Sequence, residues 1–398
     1  MNWKDKTVLV GISGGIAAYK TAYLVSRLVK TGADVHVIMT ENATKFIAPL
    51  TFETLSGNAC PTDTFERKGT FEVKHVELAK KADVFIVAPA TANVIAKFAH
   101  GIADDMLTTT FLAAQCPKIV APAMNTRMFE NPVTQENMKT LERFGIEVIQ
   151  PQSGYLACGD TGKGKMPEPD TLFAWVERAA AGPKDMKGMK VVVSAGATRE
   201  SMDPVRFITN HSTGKMGFSM ARECMLRGAD VTIVRAAASA EPPLFCRIID
   251  VKSAEDMFQA VTKEAKTADL VIMAAAVADY TPANYSDEKV KKKDGDLSIP
   301  LKRTKDILGY LGEHRHEGQF LCGFSMETQN MVENSRAKLQ KKNCDMIIAN
   351  NLKVAGAGFG TDTNIVTLIT RDDVKELSIM SKDDVAHEVI GNILESFD

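Results

Sequence analysis

Between Gly154 and Lys165 the chain reads GYLACGDTGKGK, which sets Cys158 among glycines at 154, 159 and 162. A thiol so placed is a poor small buried hydrophobe, and an accessible thiol can deliver a proton or attack an electrophile. Other residues of the first half also have types suited to chemistry. His75, in FEVKHVELAK, stands at an expected helix start, where it either moves protons or serves the structure. Asn125 ends the run KIVAPAMN with an amide suited to a substrate carboxylate or amide. Ser13-Gly14-Gly15, in GISGGIAAYK, lies between a strand end and a helix start. Free backbone N–H groups and the helix dipole could hold a phosphate there, although the same residues also make a tight turn. The spacing is not G-x-G-x-x-G, and the second strand ends in Met39-Thr40 without the acidic residue a dinucleotide ribose wants. A mononucleotide phosphate therefore fits better than NAD. The stretch APATANVIAKFAHGIADD follows a buried strand with Thr91 and Asn93, a surface that suits either a flat polar ring or a capped helix.

The second half offers a different set. TNHSTGKMG, Thr209 to Gly217, is a polar turn opening a helix, without the spacing of a Walker A loop. AAAVADY places Asp279 at the carboxyl end of an apolar strand, and DEKVKKKDGD concentrates four lysines from Lys289 onward. Such a run is either a solvated loop or, beside a strand-end carboxylate, a counter-charge for a triphosphate.

The elements that must position these residues follow from the apolar pattern. KTVLVGISGGIAAYKTAYLVSRLVKTGADVHVIMT, Lys6 to Thr40, reads as strand, Gly-rich turn, amphipathic helix and strand. KGMKVVVSAGATRE, a helix from about Lys215 to Arg227 and GADVTIVRA repeat that order in the second half. Near-continuous apolar strands between helices imply parallel sheets covered on both faces, hence an α/β chain of two doubly wound, Rossmann-like domains. Their ligands belong at the carboxyl ends of the strands. The expected division is residues 1–182, a linker at 183–189 in AAAGPKDMKG, and a second domain at 190–398.

Composition agrees with folded α/β material: of 398 residues, 45% are hydrophobic and 25% charged. The net charge of -2 gives no general reason to bind nucleic acid or an anionic membrane, so any anion site must be local. The N-terminus enters a strand directly, and no uncharged apolar run nears the roughly 20 residues of a membrane span, so a cytoplasmic chain is expected. Seven scattered cysteines without a C-x-x-C pair suggest free thiols rather than zinc or disulfides.

Ser13-Gly14-Gly15, His75, Pro89-Ala90-Thr91-Ala92-Asn93, Pro122-Ala123-Met124-Asn125 and the Gly154 to Met166 loop, in that order, resemble the flavin-containing cysteine decarboxylases, and most closely the phosphopantothenoylcysteine decarboxylase domain. The resemblance covers roughly residues 6 to 180 and implies a flavoprotein fold that binds FMN. It implies that the flavin oxidises the substrate's cysteinyl thiol to a thioaldehyde, that CO2 then leaves, and that the ene-thiolate is protonated and reduced. Cys158 matches the proton donor, His75 the acid or base near the thiol and carboxylate, and Asn125 the substrate-binding amide. Ser13, Gly14, Gly15, Thr40, Thr91, Ala92, Asn93 and Ala123 match flavin-contacting positions. Phe129 stands where that family usually has tryptophan, and Lys165 where an arginine is common.

Asn210 to Lys215, Ala275 to Asp279 and Lys289 to Lys292 look like the signature set of phosphopantothenate-cysteine ligase, over about residues 190 to 398. That resemblance implies CTP as co-substrate, Mg2+ held mainly by phosphates and water, and an acyl-cytidylate made from 4'-phosphopantothenate and attacked by L-cysteine. By position Asn210 contacts the acyl-cytidylate and Lys289 steadies the transferring phosphate. Asp279, Lys289, Asp306, Ile307, Phe324, Lys338 and Lys342 belong to the nucleotide site. The two resemblances together imply a homo-oligomer, with ligase domains as dimers within a dodecamer. A flavin prenyltransferase would need no loop cysteine, and a non-catalytic flavin-binding regulator could lose His75 or Cys158, both of which are present.

Overall fold

Val8, Leu9, Val10 and Ile12 are all buried, and they lie on an inner strand of a sheet rather than on one of its edges. The computed structural model describes residues 3–65, 73–157, 159–291, 298–327, 330–351 and 360–397. It divides into two units, Met1–Ala181 and Gly182–Asp398.

In the first unit, β1 (Thr7–Ile12), β2 (Asp34–Met39), β3 (Val84–Ala90), β4 (Lys118–Pro122) and β5 (Glu147–Val148) form a five-stranded sheet in the order β2-β1-β3-β4-β5. Every pairing is parallel. Alternate residues serve opposite faces, as the pleat requires. Val8, Val10 and Ile12 pack with Leu24 and Leu28 of α1 (Ala18–Lys30), while Leu9, Phe85 and Val87 pack with residues of later helices. The helices after α1, in chain order, are α2 (Pro49–Ser56), α3 (Lys74–Lys81), α4 (Ala92–His100), α5 (Met106–Ala113), α6 (Thr126–Glu130), α7 (Pro132–Arg143) and α8 (Pro169–Ala180). Ile95 and Phe98 of α4 and Leu107 and Phe111 of α5 fill one face, and Leu172 and Val176 of α8 fill the other. Each such fully buried side chain contributes about 1.5–3 kcal/mol.

The Gly154 to Met166 stretch, read above as a loop, contains a hairpin outside the main sheet, β6 (Gln152–Tyr155) paired antiparallel with β7 (Thr161–Lys165).

The second unit is built on β8 (Lys190–Ala195). A small ladder, β9 (Arg199–Ser201) with β10 (Phe207–Thr209), follows it. Then come α9 (Lys215–Leu226), β11 (Asp230–Arg235), β12 (Arg247–Asp250), α10 (Ala254–Ala265) and β13 (Leu270–Met273). A second ladder pairs β14 (Tyr280–Pro282) with β15 (Leu301–Arg303). After α11 (Ile307–His314) come β16 (Phe320–Glu327), α12 (Met331–Lys341), β17 (Met346–Asn351), β18 (Thr363–Asn364), β19 (Val366–Ile369), β20 (Val374–Glu376), β21 (Met380–Ser381) and α13 (Lys382–Leu394).

The eight-stranded sheet runs β12-β11-β8-β13-β16-β17-β19-β20. Its strands from β12 to β17 are parallel, the doubly wound pattern. The sheet is not parallel throughout, because β19 and β20 add antiparallel strands at one edge. Thr370 to Asp373 joins them, far too short for a parallel crossover. The expected linker also differs. Met186 is buried, its N–H donates to the Arg227 carbonyl at 3.1 Å, and Lys184 Nζ donates to the Leu226 carbonyl at 2.7 Å, so these residues belong to the second unit.

Candidate functional site

In the first unit β1 and β3 are neighbours, while the chain leaves β1 for β2 on one side and β3 for β4 on the other. A crevice opens at the carboxyl ends of strands where the order reverses in this way. Ser13 follows β1, Thr40 follows β2, Thr91 follows β3 and Ala123 follows β4, so the parallel sheet brings residues scattered in sequence to one edge. Ser13 is fully buried. Its N–H and hydroxyl both donate to the Pro89 carbonyl, at 3.2 and 2.8 Å, and its oxygen accepts from the Thr91 N–H at 2.9 Å. Ser13 therefore ties the two strand ends together with its N–H and hydroxyl already used.

Gly14 and Gly15 keep N–H groups without a partner among the described residues. A Cβ on Gly14 would lie 2.7 Å from Asn42 Cβ, whereas the Cβ position of Gly15 has nothing nearer than 3.9 Å. Thr91 N-caps α4 with its hydroxyl 3.4 Å from the Val94 N–H, which leaves Ala92 and exposed Asn93 on the first turn. Thr40 is buried, and its hydroxyl accepts from the Ala43 N–H at 3.2 Å.

Asn125 N-caps α6. Its Oδ1 accepts from the Arg127 N–H at 2.8 Å, and its Nδ2 donates to Asp160 Oδ2 at 2.7 Å. Two glycines of β7 allow the hairpin to reach it. Gly164, at φ +137°, would carry a Cβ 2.2 Å from the Met124 carbonyl oxygen, and a Cβ on Gly162 would lie 2.6 Å from Thr126 Oγ1. The Met124 N–H meanwhile donates to the Gly164 carbonyl at 3.1 Å.

Cys158 lies outside the described residues. Its neighbours close a turn, with the Gly159 N–H donating to the Leu156 carbonyl at 2.9 Å and the Leu156 N–H to the Asp160 carbonyl at 2.8 Å. Burial raises the thiols of all six described cysteines: Cys60, Cys246 and Cys344 are pushed up to about 12, and Cys116, Cys224 and Cys322 are also raised. His75 lies near the start of α3 with Nδ1 buried and unpartnered among the described residues, and no hydrogen bond there joins it to Asn125.

The second unit has its own crevice, a cleft of about 750 Å³ at the carboxyl ends of β13, β16 and β17. Asn210, Asp279, Asp306, Ile307, Phe324, Lys338 and Lys342 all line it. Asn210 Nδ2 donates to the Ala276 carbonyl at 3.1 Å, Lys338 Nζ to the Phe324 carbonyl at 3.0 Å, and Lys342 pairs with Asp306, the N-cap of α11. Gly217 lets α9 cross β8 closely, since a Cβ there would meet Ser194 O at 2.9 Å.

Lys289 is exposed and does not line this cleft. The structure adds residues that no motif marked: Arg303, Lys305, Lys341, Lys382, Asn350 and Asn364. With Lys215, Lys338 and Lys342, the described lining has seven basic side chains against Asp279 and Asp306. Lys382 is buried, and its ammonium donates to the Thr361 carbonyl at 2.6 Å. Burial, with Lys215 nearby, lowers its pKa. Among the described residues no group of three or more His, Cys, Asp or Glu stands ready to hold a metal ion, and no helix is long and apolar enough to cross a membrane.

Residues 1–180 match the flavoprotein family, and residues 186–397 match the DNA/pantothenate metabolism flavoprotein C-terminal domain. A coenzyme A biosynthesis bifunctional protein CoaBC of Bacillus subtilis (strain 168) is 48% identical over 393 residues, 98% of this chain and 97% of its own. Its counterpart in Vibrio cholerae is 44% identical over 392 residues, 98% of each chain. The crystal structure of the C-terminal domain of a CoaBC protein shares 39% identity and covers 53% of this chain and 96% of its own, with a TM-score of 0.46.

A flavoprotein half and a pantothenate-metabolism half in one chain define a bifunctional α/β enzyme. The chain belongs to the family of coenzyme A biosynthesis bifunctional proteins CoaBC, which joins a phosphopantothenoylcysteine decarboxylase to a phosphopantothenate-cysteine ligase.

Proposed function

We propose that the second unit ligates 4'-phosphopantothenate to L-cysteine with CTP, and that the first decarboxylates the product to 4'-phosphopantetheine. The observation that carries the ligase reading is the charge of the cleft lining, seven basic side chains against two carboxylates in a chain of net charge -2, an excess that survives the pairing of Lys215 with Asp362 and Lys305 with Glu255 just outside it. Such a cleft concentrates a polyanion. A carboxylate is inert towards an amine until its oxygen becomes a good leaving group. The substrate carboxylate attacks the α-phosphorus of CTP, and pyrophosphate leaves. The cysteine amine then displaces CMP from the acyl carbon. Lys338, Lys342 and Lys215 offset the phosphate charge, and Asn210 holds the acyl-cytidylate. Lys289 steadies the transferring phosphate from its own segment. Mg2+ is held by phosphates and water, which needs no protein cage.

FMN is the group we assign to the first unit. The free N–H groups of Gly14 and Gly15 and the start of α4 at Thr91, Ala92 and Asn93 suit a phosphate beside a flat polar ring, with Thr40 and Ala123 on the same edge. Bound there, FMN supplies the two-electron oxidation that makes decarboxylation possible and the return of those electrons. Asn125 binds the substrate, the β6–β7 hairpin excludes water, Cys158 gives the proton to the ene-thiolate, and His75 moves the proton at the thiol and carboxylate.

A cytoplasmic homo-oligomer, with ligase dimers within a dodecamer, completes the reading. Ile16, Tyr19 and Tyr23, exposed by 58, 53 and 66%, support an apolar contact beside the flavin crevice. Pyrophosphate release that requires phosphopantothenate, followed by CO2 release that requires cysteine, tests the order of the two reactions. CO2 release from phosphopantothenate without cysteine would contradict it.

A further inference from the structure

Asp203 sits in the turn between β9 and β10, with 1% of its surface exposed. Its Oδ1 accepts from the backbone N–H groups of Val205 at 2.9 Å and Arg206 at 2.8 Å. Its Oδ2 accepts from Arg206 Nε at 3.0 Å, Arg206 Nη2 at 2.6 Å and the backbone N–H of Val290 at 3.2 Å. Arg206 Nη2 also donates to the Val290 carbonyl at 2.7 Å. One ion pair thus holds both backbone polar groups of the residue that follows Lys289. The Ser286 N–H, donating to the Met202 carbonyl at 3.0 Å, adds a second tie between the same two segments. The bonds from Arg206 hold the Asp203 carboxyl far below the usual carboxylate range, so the pair stays charged wherever the enzyme works.

The Asp203 carboxylate is fully buried while Arg206 keeps 40% of its side-chain surface in solvent, and taking a carboxylate out of water is costly unless its oxygens are bonded as these are. What this pair achieves beyond its own turn is a grip on Val290. The Val290 N–H lies in the peptide plane that also contains the Lys289 Cα. Holding that N–H therefore anchors the Lys289 Cα, the point from which its side chain departs. Lys289 is exposed, and a four-carbon ammonium anchored nowhere along its backbone would spend little time at any one point.

We propose that Asp203, through Arg206 and the backbone of Val290, is a positioning residue for ligation that fixes where Lys289 stands. The proposal rests on the reading of Lys289 as the cation that steadies the transferring phosphate. It requires Asp203 to matter for kcat, to leave nucleotide affinity alone, and to matter only while Lys289 is present.

The test uses the full chain, with pyrophosphate release as the ligation readout and calorimetric CTP affinity as the check on the second unit. Asp203→Asn should lower ligation kcat by about tenfold to a hundredfold, the scale of a small misplacement, with CTP affinity within about threefold. Arg206→Lys keeps the charge but loses the planar fork, and should fall in the same direction. In a Lys289→Gln background, Asp203→Asn should change the residual rate by less than about twofold, because residues that act as one unit are not additive. Wild-type ligation by Asp203→Asn, a full further loss in the Lys289→Gln background, or collapse of CTP affinity would each overturn the proposal. Normal turnover by Lys289→Gln alone, which leaves the Asp203 pair intact, would remove the underlying role of Lys289 and the proposal with it.

Discussion

The amide nitrogen of Asn125 donates to the Asp160 carboxylate at 2.7 Å, so the residue we assign to substrate binding is bonded to the hairpin two residues beyond Cys158. Asn125→Asp would set two carboxylates against each other at that spot. The hairpin tip should then leave its seat, and decarboxylation of supplied phosphopantothenoylcysteine should fall about a hundredfold with flavin retained. Asp160→Asn leaves a neutral pair and should fall about tenfold. CO2 release measures both, and wild-type rates in the two variants would show that the bond is incidental.

Gly14→Ala tests the flavin crevice. The new Cβ would lie 2.7 Å from that of Asn42, so the turn must shift and carry its N–H groups with it. The purified variant should lose the visible flavin absorption while unfolding cooperatively. Gly57→Ala, at φ +73° with nothing near its Cβ, is the control: it strains the backbone without crowding a neighbour and should keep its colour.

Lys338 donates to the Phe324 carbonyl from the wall of the charged cleft. Lys338→Ala should raise the KM for CTP about tenfold, the equivalent of about 1.4 kcal/mol. The KM for CTP in the unsubstituted protein should also rise with salt, since exposed charges are screened beyond about 10 Å at 0.1 M. A KM indifferent to both changes would remove the cleft from nucleotide binding.

Burial disfavours the thiolate, and Cys60, Cys246 and Cys344 are pushed up to about 12. Their reactive form becomes appreciable only as pH rises towards that value, so between pH 7 and 9 (about three or more units below it) they should resist alkylation in the folded chain. Peptide mapping after iodoacetamide treatment should find Cys158 labelled first. Faster labelling of Cys60 or Cys344 would contradict the assignment of Cys158 as the accessible thiol.

The two repeated strand-turn-helix units were legible because buried parallel strands write long apolar runs, and Lys6 to Thr40 and Lys190 to Ala236 both do so. Their Gly-rich turns marked the crevices for the same reason, since a backbone that must turn tightly or approach a ligand excludes side chains. The β6–β7 hairpin was read as a loop because Gly154, Gly162 and Gly164 offer no side-chain alternation, and its pairing rests on backbone bonds alone.

Lys382 and Lys341 were missed on other grounds. A lysine at a helix end reads as a solvated charge, and only the folding of α12 and α13 around the sheet turns these two into the cleft. Lys289 shows the converse, since a conspicuous lysine run does not by itself place a lysine in the cleft lining.

The most direct test of the central claim is mass spectrometry of the purified chain with 4'-phosphopantothenate, cysteine, CTP and Mg2+, beside a matched ATP reaction. The account predicts 4'-phosphopantetheine and CMP with CTP and little product with ATP. A folded, flavin-loaded sample that makes neither the cysteine conjugate nor 4'-phosphopantetheine would contradict it.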